Sequence, residues 1–172
     1  MEGEQRRNQI LTILQSENQP LSGTELAKRL GVSRQVIVQD IALLRAVNRN
    51  ILSTNKGYIL YHKEDAEKKV KRTVKVCHTS EQIQEELYTI VDNGGSVLDV
   101  VVEHEIYGQI TADLIIHNRA DVDAFVDKVE KHRTKPLNAL TDGIHFHTIE
   151  ADEEEILDRI VNQLREKGFL LG

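Results

Sequence analysis

The chain has 172 residues, 40% hydrophobic and 29% charged, a balance that excludes disorder and leaves room for one ordinary domain or two small ones. No apolar run approaches the roughly 20 residues that span a bilayer. The polar start is not a signal peptide, and a single cysteine, Cys77, excludes an internal disulfide, so a reducing, cytoplasmic setting is expected.

The net charge of −6 is unevenly spread. Residues 1–61 hold eight Lys and Arg against five Asp and Glu, a net +3, which leaves −9 for the remainder. A polyanion would therefore meet the first module and avoid the second. With no Trp and only 4% aromatics, the cores must rest on Ile, Leu and Val.

Ile10, Leu11, Ile13 and Leu14 fall at helical spacing and predict a first helix over Gln5–Glu17, stopped before Pro20. Leu21 to Glu25 offer an N-cap to a short second helix through Leu30, closed by Gly31. Ser33 caps a third helix carrying Val36, Ile37, Asp40, Ile41 and Leu44. Two short helices joined by Gly31-Val32-Ser33 are the pattern of a helix-turn-helix. Strand-like runs then flank Asn55-Lys56-Gly57, a hairpin signal, so residues 1–61 predict a winged helix-turn-helix.

Ser33, Arg34, Gln35 and Gln39 lie near the start of the third helix, where Arg can read guanine edges and Gln adenine. Lys28, Arg29, Arg45 and Lys56 are better placed for phosphates. The plain alternative for any one of them is a solvated surface residue. Residues 62–72, of mixed charge, read as a linker.

Within residues 73–172, strands are expected at Thr73–Val76, Val97–Val102, Ile110–Ile116 and Ile144–Ile149. Helices are expected at Ser80–Val91, capped by Ser80, at Asp121–His132 and at Asp152–Lys167. This order predicts an α+β chain whose second domain is an antiparallel α/β sandwich, HPr-like or ferredoxin-like, with helices on one side of the sheet. His145 and His147 would point to one face of a strand and Phe146 to the other. His-x-His of this kind commonly grips a metal, though it also arises by chance. His78 ends the first strand, and Glu86 stands on the second turn of the next helix; spacing alone does not join these two to the pair. Three imidazoles and a carboxylate would suit zinc, nickel or iron better than magnesium or calcium. Cys77, beside His78 on a strand, points the other way and reads as a small buried apolar residue.

Three segments carry a resemblance: Val102-Glu103-His104-Glu105-Ile106-Tyr107-Gly108, Asp121-Val122-Asp123-Ala124-Phe125, and the run from Pro136 to Thr148 that contains Asn138, Asp142, Gly143, His145 and His147. Over essentially its whole length the chain resembles the niacin-responsive transcriptional repressors of Gram-positive bacteria and their relatives. These join a winged helix of the biotin-repressor type to a ligand-binding domain named for its three histidines. The resemblance implies a sequence-specific repressor of NAD salvage or niacin uptake genes, with double-stranded operator DNA as partner and no enzymatic activity. It also implies a metal ion held by His78, Glu86, His145 and His147, with nicotinic acid as corepressor bound near it. His104, Tyr107 and Gly108 are candidates for the effector pocket. The alternative, that Tyr107 packs and His104 hydrogen-bonds at a strand end, stays equally open. Glu105 departs from the apolar residue or proline expected there and would alter the pocket rim. His117 and His132 read as surface residues.

A homodimer is expected, because one winged helix reads few bases. The second domain should supply the contact, through the Val97–Val102 strand or the last helix. Two other readings remain: a metal-responsive repressor with no organic effector, and a metalloenzyme using Glu103 or Glu105 as base.

Overall fold

Two serine caps and one left-handed glycine set the helices of the N-terminal unit. Ser22 accepts from the Glu25 N–H and Ser33 from the Val36 N–H, opening α2 (Gly23–Leu30) and α3 (Arg34–Ala46) behind α1 (Gly3–Ser16). Between α2 and α3, Gly31 sits at φ 65° and donates to the last carbonyls of α2, the tight turn of a helix-turn-helix. The computed structural model describes residues 2–47, 50–61, 68–132 and 135–172, which fall into two units, 1–64 and 65–172.

Ile10 and Leu14 of α1, Leu26 and Ala27 of α2, and Ile37, Ile41 and Leu44 of α3 form one core with Ile51. Asp40, 2% exposed, is held by Arg6 and Arg7, so two of the module's cations fasten α1 to α3. The wing is β1 (Ile51–Thr54) paired with β2 (Gly57–Leu60) around Asn55-Lys56. Leu21 exchanges backbone hydrogen bonds of 2.9 and 2.7 Å with Tyr58, tying the wing to the chain that enters α2. Gly57, at φ 132°, allows this: a Cβ there would lie 2.2 Å from the Leu21 carbonyl oxygen.

The second unit runs β3 (Val70–Cys77), α4 (Ile83–Asp92), β4 (Ser96–His104), β5 (Gly108–Ile116), α5 (Arg119–Lys131), β6 (Ile144–Ala151) and α6 (Glu154–Glu166). Its strands pair antiparallel in the order β5-β4-β6-β3. The first of them, β3, lies at the edge beside the last, β6, as in an HPr-like sandwich and not a ferredoxin-like one. Val74, Val76, Val97, Leu114, Ile116 and Ile149 face Ile90 of α4, Val122 of α5 and Leu157, Ile160 and Leu164 of α6. Each such fully buried aliphatic chain is worth on the order of 1.5–3 kcal/mol. Lys71, Thr73 and Lys75 stand on the opposite, exposed face of β3. All three helices therefore cover one side of the sheet.

Several boundaries differ from the expectation. β3 starts at Val70, so the last residues of the expected linker are strand; Arg72 pairs there with Glu154 and Asp158 of α6, a charge pattern that hides the strand. Residues 62–67 of that linker lie outside the described residues. Ser80 does not cap α4: the chain first makes a 3-10 turn, Ser80–Gln82, with Gln82 accepting from the Thr79 N–H at 3.0 Å. A second 3-10 turn, Leu137–Thr141, was not foreseen. β4 is flanked by β5 and β6 on its two sides, which closes the Val97–Val102 strand as a dimer edge. Among the described residues no helix is long and apolar enough to cross a membrane.

Candidate functional site

The alternation of β6 buries His145, His147, Ile149 and Ala151 on the helix-covered face, opposite Val76 and Val74 of β3 for the two histidines. His78 follows the end of β3, and Glu86 comes from the first turn of α4. The structure brings these four together, each no more than 5% exposed. Glu86 Oε2 contacts His78 Nε2 and lies 3.4 Å from His145 Nε2, while Oε1 lies 2.9 Å from His147 Nε2.

The other ring nitrogens fix the chemistry. His78 Nδ1 donates to the Thr79 carbonyl at 2.7 Å, His145 Nδ1 to that of Gly143 at 2.8 Å, and His147 Nδ1 to that of Asp99 at 2.6 Å. A carbonyl only accepts, so every Nδ1 carries its proton and every Nε2 is turned on Glu86. Backbone carbonyls orient metal-bound histidines in this way.

Two backbone devices hold the rings. Gly143, at φ 89°, accepts through its carbonyl from both the His78 N–H (3.3 Å) and His145; a Cβ there would lie 2.4 Å from the His78 carbonyl oxygen. At β4 the register shifts between Val97 and Val101 against β6, and between Val97 and Asp99 against β5. Asp99 sits in that irregularity, its carbonyl on His147 and its carboxylate on the Thr148 N–H at 2.8 Å. In β5, between Asp113 and Ile116, the partners of Asp99 and Val97, Ile115 takes φ 53°, rare for a β-branched residue.

Burial pushes the Glu86 carboxyl up, but the attraction of His147 and hydrogen bonds from His145 and His78 hold it well below the usual carboxylate range. Burial likewise pushes His78 and His147 down, and Glu86 more than offsets it, leaving both raised. Even so, Glu86 Oε1 and His147 Nε2 are not aligned as a hydrogen bond and remain buried without a hydrogen-bond partner. Three nitrogens and a carboxylate with orphaned atoms at their meeting point fit a transition-metal ion, and this donor set suits zinc, nickel or iron.

A cavity of about 40 Å³ adjoins the cluster, between the sheet, α4, α5 and the second 3-10 turn. Its walls are apolar, among them Leu87, Val100, Leu114, Phe125 and Leu137. His104, Tyr107 and Gly108 do not line it. They lie at the turn between β4 and β5, where His104 Nδ1 accepts from the N–H groups of Ile106 (3.2 Å) and Tyr107 (3.4 Å). Tyr107 is 76% exposed beside the His104 ring, so these three residues stand at an exposed turn, apart from this cavity. Glu103 is exposed on the same stretch and absent from the cavity, as is Glu105. Cys77 is half-buried, not buried, its thiol 3.8 Å from the Asp142 carbonyl oxygen. Asn138 and Gly143 fall inside the Pro136 to Thr148 segment that carries the resemblance but have no expected role there, and Asp99 is not marked by the sequence pattern.

In the first unit, Arg34, Gln35 and Gln39 are exposed at the start of α3, and Gln35 and Gln39 share a face one turn apart. Ser33 is also exposed, but its hydroxyl caps the helix. Arg45 is exposed at the far end, and Lys56 is half-buried in the wing turn. Arg29 bonds Glu17 and Glu25 at 2.8 and 2.9 Å, which occupies a guanidinium expected to be on phosphate.

Comparison with known proteins gives matching results for both units. A helix-turn-helix domain family matches residues 6–59, and the 3H domain family matches residues 71–172. The chain is 45% identical over 168 residues to a probable transcription repressor, NiaR, of Thermotoga maritima, covering 98% of this chain and 94% of that one. It is 42% identical over 171 residues to the transcription repressor NadR of Bacillus subtilis, again covering 98% and 94%.

Proposed function

The chain belongs to the niacin-responsive family of transcription repressors that join a helix-turn-helix to a 3H domain, and from that premise we propose a corepressor mechanism. The protein is a DNA-binding transcription repressor and not an enzyme. In the proposed mechanism His78, Glu86, His145 and His147 hold a transition-metal ion, and nicotinic acid binds beside it as corepressor. The genes controlled are those of NAD salvage or niacin uptake, and the active species is a homodimer on operator DNA.

One observation carries the metal part: three Nε2 atoms are aimed at one buried carboxylate while each Nδ1 is tied to a backbone carbonyl. When bound, the ion would offer a Lewis-acidic position to a pyridine nitrogen or a carboxylate. The apolar walls would take the ring. An aromatic ring needs a cavity on the order of 150 Å³, so at about 40 Å³ this one must enlarge to admit it. That requirement gives the effector a conformation to select, and about 1.4 kcal/mol of differential affinity is enough for a tenfold change in DNA binding. In DNA recognition, Arg34, Gln35 and Gln39 read bases, Arg45 and Lys56 meet phosphates, and Ser33 holds the helix start.

The small cavity also favours a second reading, in which the ion alone is the signal. Titrating the protein into labelled DNA from its own niacin-transport or NAD-synthesis promoters separates the two, with and without zinc or nickel and with nicotinic acid, nicotinamide or neither. Tightening of at least tenfold by nicotinic acid, abolished by His145→Ala, supports the corepressor mechanism. Affinity that follows the metal and ignores both pyridines replaces it with the metal sensor.

A further inference from the structure

Asn138 stands between two spaces. It lines the apolar cavity beside the His/Glu cluster, and it also lines an open cleft of about 330 Å³ formed with Cys77, Thr79, Gln82 and Asp142. Its backbone is pinned, since its carbonyl accepts from the Gly143 N–H at 2.8 Å, across the turn that places His145. Its side chain is 5% exposed, yet Oδ1 is buried with no hydrogen-bond partner. A buried amide oxygen normally has a partner, and an exception calls for a ligand or a functional role. Asn138 has no part in the cluster's own hydrogen bonds, so the metal ligands do not account for it.

We propose that Asn138 is the residue of the effector site that holds the ligand's polar substituent, its carboxamide hydrogen-bonding that group on a flat, otherwise apolar ligand. The inference rests on the corepressor reading above. Among the described residues, neither space is lined by Lys or Arg, so the positive groups a ligand carboxylate meets there are the cluster's own imidazoles and a bound metal. The remaining neutral polar group facing the apolar cavity is the Asn138 amide, whose Nδ2 can donate to a carboxylate or a carboxamide oxygen and whose unpartnered Oδ1 can accept from a carboxamide N–H. Asn138 therefore accepts an acid or an amide, and the charge placed at this position decides which one is bound. An aspartate here would repel an acid while still accepting from an amide N–H.

The test is calorimetric binding of nicotinic acid and of nicotinamide to the metal-loaded full chain, as wild type, Asn138→Asp and Asn138→Leu, with metal content measured on each. Asn138→Asp should weaken nicotinic acid at least tenfold relative to nicotinamide, and Asn138→Leu should weaken both about tenfold. Where leucine disturbs metal content, Asn138→Ser keeps a short polar arm in the turn and should still weaken both. If wild type binds nicotinic acid and the variants bind it equally well, the role of Asn138 is overturned and the corepressor reading survives. If wild type binds neither pyridine, the corepressor reading falls and this inference falls with it.

Discussion

The backbone carbonyl of Asp99 accepts the Nδ1 proton of His147 at 2.6 Å, while the Asp99 carboxylate takes the Thr148 N–H that the irregular β4–β6 ladder leaves over. One residue thus repairs the sheet and aims a ring at Glu86. Asp99→Ala would leave the Thr148 N–H without its partner, a cost of about 1–3 kcal/mol. The carbonyl that holds His147 is kept, so a fall in metal affinity of up to about tenfold would come only from the loosened backbone at the irregularity. Urea unfolding and competition against a chromophoric chelator read the two effects separately. Wild-type zinc affinity in Asp99→Ala would show that the irregularity does not position the ring.

Glu86 is the one carboxylate in contact with the three imidazoles, so Glu86→Gln keeps its shape and removes its charge. A ligand at 100 times its Kd stabilises a protein by about 2.7 kcal/mol. Wild type should show a zinc-dependent rise in melting temperature that Glu86→Gln largely loses. An equal rise in both would remove Glu86 from the ligand set.

The metal-free protein should have an acid-side stability optimum. His78 and His147 are raised above the ordinary 6.5, so their contribution is complete below that pH and is lost as pH rises through the raised values. Glu86 is held well below 4.5, so its contribution is present above that pH and is lost as pH falls through the lowered value. Together they give full stabilisation between about pH 4.5 and 6.5. Metal binding needs the Nε2 lone pairs and displaces these protons, so the gain from zinc should grow toward alkaline pH. Denaturation in EDTA at about pH 5.5 and about pH 8 checks the sign. Equal stability at the two would contradict the cluster's electrostatics.

The helix-turn-helix was legible because its determinants are local: Ser22, Gly31 and Ser33 act within a few residues of themselves. The facing of His145 and His147 was legible for the same reason, since strand alternation is a property of the strand alone. The wall of the cavity beside the cluster was not. Asn138 and Phe125 reach it from a 3-10 turn and a helix that meet only in three dimensions, whereas Tyr107 and Gly108 stand at an exposed hairpin. Asp99 was hidden because one charged residue in an otherwise apolar strand reads the same whether it faces outward or sits in a bulge, and β3 began early because Lys71 and Arg72 find acidic partners on β6 and α6.

Gly143→Ala should be among the most damaging single-methyl changes in the second unit. It meets φ 89° and a carbonyl oxygen 2.4 Å away, and it displaces the acceptor that serves both His78 and His145. A loss of several kcal/mol in stability, or loss of metal binding in a protein that still folds, is expected. Gly108→Ala, with open space around the missing Cβ, is the matched control and should cost only the strain of its φ of 72°. Equal unfolding midpoints for the two variants would contradict the close approach at His78.

On DNA, the exposed residues of α3 and the wing should separate by what they change. Gln35 and Gln39 share one exposed face a turn apart at the start of α3, where a helix lying in the major groove meets base edges. Gln39→Ala should cost about 1–3 kcal/mol on the cognate operator and much less on scrambled DNA, with the salt dependence unchanged. Arg45, exposed at the far end of the same helix, carries a charge and stands away from the N-terminal turns through which a recognition helix meets base edges. Arg45→Ala should weaken cognate and scrambled DNA alike and reduce the log–log salt slope by about one. Fluorescence anisotropy across a salt series, on both DNAs, gives all four numbers. If Gln39→Ala weakened the two DNAs equally, α3 would be holding the backbone, and sequence choice would have to come from elsewhere in the unit.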